Sequence, residues 1–222
     1  MSLQVTLDFL AQLRENNNKE WFDEHRADYD IARGAFSDML GELMMRFSDV
    51  DELPVLAAKE VMFRINRDVR FSKDKSPYKS SMSALFGPDG RKSTSRYYYV
   101  SIEPDGQSIV ASGLKSPDTK TLKMIREVIA EDAQPLRDII QADAFVSMFG
   151  ELQGDQLKTA PRGYDANHPD IDLLRYKEFM ASRHFSDDDV ARDDFVDDIL
   201  ETCRALKPLT LYFHTIIKRE SA

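Results

Sequence analysis

The most unusual concentration of side chains suited to chemistry lies in residues 64–79, called the basic segment below. Its sequence is Arg-Ile-Asn-Arg-Asp-Val-Arg-Phe-Ser-Lys-Asp-Lys-Ser-Pro-Tyr-Lys. If strand alternation continues through it, the side chains at positions 64, 66, 68 and 70 share one face. A guanidinium group presents a planar fork that matches a carboxylate or a phosphate. Burying such a face is costly without partners, so the segment predicts an anion-binding site.

Each side chain of this predicted site has an expected role. Asp68 should orient one guanidinium group, Pro77 should stiffen the loop, and Tyr78 can hydrogen-bond or stack. If the protein is an enzyme, Asp68 or His168 is the candidate proton carrier, because histidine titrates near neutral pH and aspartate can act as a base. The other ligand-binding residues predicted in the basic segment are Arg64, Arg67, Arg70, Lys75 and Lys79.

A second polar stretch, residues 158–177, carries four further cations together with Tyr164 and His168. Its Pro-Arg-Gly-Tyr sequence predicts a turn with exposed side chains. We hypothesise that this stretch packs over the basic segment and completes a cationic pocket, to which Arg162, Tyr164 and Lys177 would contribute. Exposed turn residues without a common site are the alternative.

The overall charge balance limits the choice of partner. The chain carries a net charge of −9, yet residues 59–96 contain ten Lys/Arg against four Asp/Glu, which leaves −15 for the remainder (−9 − 6). An acidic surface disfavours nucleic acid in general, whereas a basic island can still hold a small phosphorylated or carboxylated ligand.

Two other interpretations fit the same residues. The protein could be an interaction module that binds nucleic acid or an acidic protein partner through the basic strip, with a steep salt dependence. The arginines could also be purely structural and paired with the chain's own carboxylates.

The remaining composition predicts a cytoplasmic protein without cofactor or metal. Cys203 is the single cysteine, which excludes an intramolecular disulfide and a zinc site built from several thiolates. No apolar stretch reaches the ~18 residues of a membrane span, and the first residues lack the features of a signal peptide.

The Asp187-Asp188-Asp189 run is better explained as a helix N-terminus than as a metal site. No nucleotide-binding loop or hydrolase elbow occurs, and nothing in these residues fixes a reaction or an oligomeric state.

Hydrophobic periodicity predicts helices at the beginning of the chain. The first should have Thr6 as its N-cap, and a second should begin near Asn17, which has capping-box spacing with Glu20. Apolar residues then recur every seven positions, at 22, 29, 36 and 43, which predicts a long amphipathic region broken near Gly34 or Gly41.

Alternation with a period of two predicts strands near residues 61–66, 82–86, 98–102, 109–111 and 179–185. Between and after them we expect a helix capped by Ser116, a short helix at Pro135, a long ordered loop over 150–170, a helix through Val196 and Cys203, and a last helix starting at Pro208. The expected fold is therefore α+β, with an antiparallel sheet of at least four strands, helices packed against it, and one domain over residues 1–222.

Three motifs have fixed spacing. The first is Arg64-x-x-Arg67-Asp68-x-Arg70-Phe71, followed by Asp74-Lys75-x-x-Tyr78. The second is Asn17-Asn18-x-x-Trp21-Phe22-x-x-x-Arg26-x-x-Tyr29. The third is Leu157-Lys158-x-x-Pro161-Arg162-Gly163-Tyr164, continued by His168-Pro169 and Leu174-Arg175-x-Lys177.

In these motifs the sequence resembles a bacterial family called domain of unknown function 2461. The resemblance extends over nearly the whole chain, from about residue 7 to the C-terminal helices. It implies one domain with a motif-rich surface. It implies no reaction, because the family has no assigned activity.

Overall fold

The structure is a computed structural model that describes residues 2–219. The chain forms two compact units. The first comprises the chain up to Ser93, together with Tyr99–Val110 and His184–Glu201. The second comprises Thr94–Tyr98, Ala111–Arg183 and the chain from Thr202 onward. The single domain over 1–222 stays a prediction.

Helices and strands are distributed as the α+β class requires. The helices are α1 (Gln4–Glu15), α2 (Lys19–Glu24), α3 (Arg26–Arg46), α4 (Ala58–Val61), α5 (Thr119–Glu131), α6 (Gln134–Ile140), α7 (Asp143–Phe149), α8 (Ile171–Leu174), α9 (Asp187–Ala191) and α10 (Phe195–Arg219). The strands are β1 (Met82–Phe86), β2 (Tyr98–Ile102), β3 (Ser108–Leu114) and β4 (Phe179–Phe185).

The four strands form one antiparallel sheet in the order β1-β2-β3-β4, which confirms the predicted fold class. The β2–β3 hairpin turns at Asp105 and Gly106, whose φ angles are 64° and 68°. Both of their backbone N–H groups donate to the Asp187 carboxylate, at 3.0 and 2.9 Å. The first acidic residue of α9 therefore fixes this turn.

Among residues 2–219, no group of three or more Asp, Glu, His or Cys side chains could hold a metal ion.

The N-terminal helices form the core of the first unit. The predicted seven-residue stripe is confirmed, since Phe22, Phe36 and Leu43 are buried and Tyr29 is half-buried. The prediction that Thr6 caps α1 is wrong. Thr6 lies inside the helix, and its buried hydroxyl donates to the Ala32 carbonyl oxygen at 3.0 Å.

Two further predictions about this region are wrong. Asn18, rather than Asn17, caps α2 and accepts a hydrogen bond from the Trp21 N–H at 2.9 Å. The break between α2 and α3 falls at His25, and α3 continues through both glycines to Arg46. Tertiary packing of the apolar stripe therefore outweighs the weak helix propensity of glycine.

The prediction of a strand over residues 61–66 is also wrong. Only isolated bridges join it to the following chain, Met62 to Ala84 and Asn66 to Tyr78. The chain advances four residues from Met62 to Asn66, whereas the partner segment advances six residues from Tyr78 to Ala84. The partner segment therefore contains two extra residues, which interrupt the pairing as a β-bulge would. Pro77 cannot donate a ladder hydrogen bond, although its carbonyl oxygen accepts one from the Arg67 N–H at 2.9 Å.

The second unit contains α5 to α8 and most of α10. Asp118, rather than Ser116, caps α5; Ser116 has a φ of 47° and donates its hydroxyl to Glu178. The short helix at Pro135 is confirmed as α6, and the stretch before α8 is an extended loop held by bridges from Gln153 and Gln156. The second helix expected from Pro208 is wrong, because α10 is continuous through that proline. None of the described helices has both the length and the apolar content needed to cross a membrane.

Candidate functional site

A cavity of about 560 Å³ lies in the first unit beside the start of the basic segment, and we call it the basic cavity. Its lining residues are Tyr29, Arg33, Lys59, Met62, Phe63, Arg64, Ile65, Asn66, Arg91 and Lys92. Five of these side chains are cations, and none of the lining residues within 2–219 is a carboxylate. The cavity is therefore a concentration of positive charge in a chain of net charge −9.

Three stretches of chain bring these side chains together. Tyr29 and Arg33 lie one helical turn apart on α3, so they share a face. Lys59 belongs to α4, and Arg64 follows on the extended stretch after it. Arg91 and Lys92 belong to a short 3-10 turn, Gly90–Lys92, which lies between β1 and β2.

Gly90 allows that turn to approach α4 closely. Its φ of 57° lies in the left-handed region. A Cβ atom at this position would lie 2.9 Å from the Glu60 carbonyl oxygen, so any other residue would push the turn away. The glycine therefore places Arg91 against the end of α4.

Arg91 is held by backbone carbonyl groups at the C-terminal end of α4. Its Nη1 donates to the Lys59 oxygen at 2.7 Å and to the Met62 oxygen at 3.3 Å. The last carbonyl groups of a helix lack partners within the helix, and basic side chains commonly bind them. This arrangement fixes one guanidinium group of the cavity and leaves its other nitrogens for a ligand.

The other four cations of the cavity form no ion pair in the part of the chain that the structure describes. These are Arg33, Lys59, Arg64 and Lys92, all exposed. The one acidic side chain of α4, Glu60, is engaged elsewhere, because its Oε2 accepts a hydrogen bond from the Ala57 N–H at 2.9 Å. Most of the cavity's positive charge is therefore available to a ligand.

The electrostatic effect of this charge extends to neighbouring groups. Burial lowers the pKa of Lys79, and the positive charge of Arg64 lowers it further. Burial raises the pKa of the Tyr29 hydroxyl, while the charges of Arg33 and Arg26 oppose that shift. The Tyr29 hydroxyl has no hydrogen-bond partner among residues 2–219, so it can donate to a ligand.

Three of the predicted cations of the basic segment are engaged within the segment itself. Arg67 Nη1 pairs with the Asp74 carboxylate. Arg70 makes a two-point contact with Asp68, Nε to Oδ1 at 2.9 Å and Nη2 to Oδ2 at 2.6 Å, so Asp68 orients a guanidinium group as predicted. Lys75 donates to the Val69 carbonyl oxygen at 2.9 Å. Arg64 is the cation of the segment that lines the basic cavity.

The expected alternation of side chains survives without the strand. Arg64, Asn66, Asp68 and Arg70 are all exposed, whereas Ile65 is buried. Hydrogen bonds from Arg70 lower the pKa of Asp68, and the positive charge of Arg64 contributes to the same shift. A candidate base at Asp68 would therefore be ionised but engaged with Arg70.

A second cavity of about 360 Å³ in the first unit includes three predicted residues, Arg67, Tyr78 and Lys79. Tyr78 is buried, and its ring stacks on Phe22 with centroids 4.0 Å apart and planes 15° apart. Lys79 Nζ lies 5.4 Å from the centroid of the Phe63 ring. These contacts give Tyr78 a packing role in addition to the predicted ligand role.

The predicted residues of the 158–177 stretch belong to the second unit. Arg162 is exposed, and burial raises the pKa of Tyr164. Lys177 pairs with Asp155 at 3.0 Å, and His168 Nδ1 accepts a hydrogen bond from the Asp170 N–H at 3.1 Å. A common site with the basic segment stays a prediction.

Of the five cations that line the basic cavity, sequence reasoning identified Arg64 and missed the other four: Arg33, Lys59, Arg91 and Lys92. Two signals were available. Residues 59–96 were already recognisable as a basic island, and Arg33 is spaced one turn after Tyr29 on a predicted helix. Neither signal indicates that α3 and the Gly90–Lys92 turn both lie beside residues 59–66. That proximity is decided by the tertiary structure.

Fold and cavity together define an α+β protein with a basic surface cavity. A family model described as "Conserved hypothetical protein (DUF2461)" matches residues 5–212, and the chain belongs to this family. The match confirms the resemblance to this family. Comparisons with curated proteins and with solved structures gave no match.

Proposed function

We propose that this protein binds a small anionic ligand, phosphorylated or carboxylated, in the basic cavity. The observation that carries the proposal is that five cations and no carboxylate line the cavity within the described residues. Like charges brought together without counter-ions repel one another, so an anion that enters relieves this repulsion.

The size and composition of the cavity support a ligand of metabolite dimensions. Ligand cavities in proteins commonly measure ~300–1,000 Å³, and the basic cavity has about 560 Å³. Met62, Phe63 and Ile65 add apolar surface to the cations. A ligand with an anionic group and a less polar remainder matches both parts of the lining.

The two arginines and two lysines without partners favour phosphate or carboxylate over other polar groups. Arginine offers two parallel N–H donors to such an oxyanion, and lysine adds a compact charge. Arg91 needs little reorganisation, because backbone carbonyl groups already hold it. Ligand entry would therefore cost little ordering of this side chain.

The test is thermal melting of the purified protein with a panel of phosphorylated and carboxylated metabolites and short oligonucleotides. A ligand present at ~100 times its Kd stabilises the native state by about 2.7 kcal/mol, which raises the Tm of a chain of this size by roughly 5–10 °C. We expect Arg64→Ala to weaken binding at least tenfold, since a hydrogen bond to a charged group contributes about 1.5–3 kcal/mol.

Lys73→Ala provides the matched control. Lys73 is an exposed cation of the same segment that does not line the basic cavity. Equal weakening by both substitutions would contradict a defined site, and so would a panel without any stabilising anion. A steep salt dependence, seen with oligonucleotides alone, would instead support an extended nucleic-acid interface.

A further inference from the structure

We infer that the ligand of the basic cavity carries two or more phosphoryl groups. This inference rests on the proposed function and narrows it. It follows from the number, the distribution and the freedom of the cations that line the cavity.

The number of charges exceeds what one phosphate can balance. A phosphate monoester carries about −1.5 to −2 charges near neutral pH. The cavity presents five positive charges, so one such group leaves roughly three of them without a counter-charge. A ligand with a second or third phosphoryl group approaches neutrality within the cavity.

The cations are also spread over separate parts of the lining. Arg33 comes from α3, Lys59 and Arg64 from α4 and the stretch that follows it, and Arg91 with Lys92 from the Gly90–Lys92 turn. Three independent stretches of backbone thus contribute charge to a cavity of about 560 Å³. One compact phosphate would occupy a small part of that volume, whereas linked or separate phosphoryl groups can contact several stretches together.

A comparison between the cations of the cavity and the neighbouring arginines supports the same conclusion. Arg67 and Arg70, just beyond the cavity, each pair with a carboxylate of the basic segment. Arg33 and Arg64 lack such a partner among residues 2–219. The chain therefore supplies carboxylate partners to the arginines next to the cavity, but it supplies none to the two arginines Arg33 and Arg64 that line it.

The rest of the lining sets the position of the ligand's remaining atoms. The Tyr29 hydroxyl has no partner within the described chain and can donate to an ester or hydroxyl oxygen. Met62 and Ile65 are buried apolar residues of the same lining. Inorganic polyphosphates, sugar bisphosphates and nucleoside diphosphates share the required chemistry and differ in this remaining part.

The experiment is isothermal titration of the intact protein with three matched pairs of ligands. These are phosphate against pyrophosphate, a sugar monophosphate against the corresponding bisphosphate, and a nucleoside monophosphate against its diphosphate. We expect the second member of at least one pair to bind ten times more tightly or better, with a steeper salt dependence. The pair that contains the ligand with the lowest Kd shows whether the phosphoryl groups belong to an inorganic polyphosphate, a sugar or a nucleoside.

Variants test whether the basic cavity provides the difference. Arg33→Ala and Arg64→Ala change cations from different stretches of the lining. Each should reduce the affinity for the preferred ligand about tenfold and reduce the ratio of its affinity to that of the monophosphate. Lys73→Ala should change neither. Thermal melting without ligand verifies that each variant is folded.

Three outcomes separate the two proposals. Equal affinity for one and two phosphoryl groups, or a preference for carboxylates, overturns the inference and leaves the proposed function in place. A diphosphate preference that both cavity variants retain also overturns it, since another surface would then be responsible. Absence of binding by every anion overturns the inference together with the proposed function.

Discussion

At the scale of single residues, the cations of the basic segment separate into two groups by their partners. Arg64 lines the basic cavity and forms no ion pair among the described residues. Arg67 pairs with Asp74, and Arg70 pairs with Asp68. Because a guanidinium group is always charged, its ligand-binding capacity depends on whether a carboxylate already occupies it.

Asp74 predicts a pH dependence for the basic segment. Its carboxylate accepts hydrogen bonds from the Ser76 hydroxyl and from Arg67, and these interactions lower the pKa of Asp74 below its ordinary value of 3.8. A group whose pKa is lower in the folded state stabilises that state above its ordinary pKa and loses this contribution as pH falls. We therefore expect Asp74 to stabilise the protein above about pH 4 and progressively less below it.

The measurement is the free energy of unfolding between pH 6 and pH 2 for the wild type and for Asp74→Asn. The variant should lose less stability over this range than the wild type does. Asp188→Asn is the control, because Asp188 is exposed and accepts no hydrogen bond from residues 2–219. Identical pH profiles for all three proteins would contradict the assigned role of Asp74.

At the scale of elements, Asn17 joins the N-terminal helices to the end of the basic segment. Its Nδ2 donates to the Tyr78 carbonyl oxygen at 3.0 Å, and its Oδ1 accepts from the Tyr78 N–H at 3.1 Å. The amide side chain thus satisfies both backbone groups of one residue in the way that a neighbouring strand would. The stacking of Tyr78 on Phe22 reinforces the same connection.

Asn17→Ala should destabilise the protein by about 1–3 kcal/mol, because it leaves a partly buried backbone N–H and carbonyl group without partners. Urea unfolding measures this change as a lower midpoint at an unchanged slope. The control is Asn16→Ala, which removes one exposed hydrogen bond to Gln12 and should cost at most about 0.5 kcal/mol. A smaller loss for Asn17→Ala than for Asn16→Ala would refute the connection.

At the scale of the whole molecule, Cys203 is a built-in reporter of global unfolding. It is the one cysteine of the chain, and its side chain in α10 is fully buried with 0% exposure. Burial raises the pKa of this thiol well above its ordinary value. Because the thiolate is the reactive form and the side chain is inaccessible, the folded protein should resist thiol reagents.

We expect a thiol reagent to label the native protein far more slowly than the unfolded chain. The labelling rate should rise with denaturant in proportion to the unfolded fraction measured by circular dichroism. Cys203→Ser should abolish labelling and serves as the blank. Labelling of the native protein at the rate of a free thiol would show that α10 opens without global unfolding.

Local patterns in the sequence determined much of this protein. Alternation of apolar residues identified the four strands of the sheet, because successive side chains of a strand point to opposite faces. The seven-residue stripe identified the buried face of α3, and the family was recognised from the sequence. The outward alternation of the basic segment and the pairing of Asp68 with a guanidinium group also followed from neighbouring residues.

Tertiary structure decided what the local patterns could not. Thr6 and Asn17 have side chains suited to helix capping, but partners 26 and 61 residues away bind them instead. The 61–66 stretch has strand periodicity, but its partner segment contains two extra residues and a proline. A single sequence does not specify which distant groups will compete for a hydrogen bond.

The candidate site shows the same division. The charge count of residues 59–96 located the basic island, but the sequence placed the ligand at Arg67, Arg70 and Lys75 as well as Arg64. Packing of α3 and the Gly90–Lys92 turn around the α4 region instead brought Arg33, Arg91 and Lys92 beside Arg64. Charge is a property of residue types, whereas the absence of a counter-ion is decided by which surfaces the folded chain brings together.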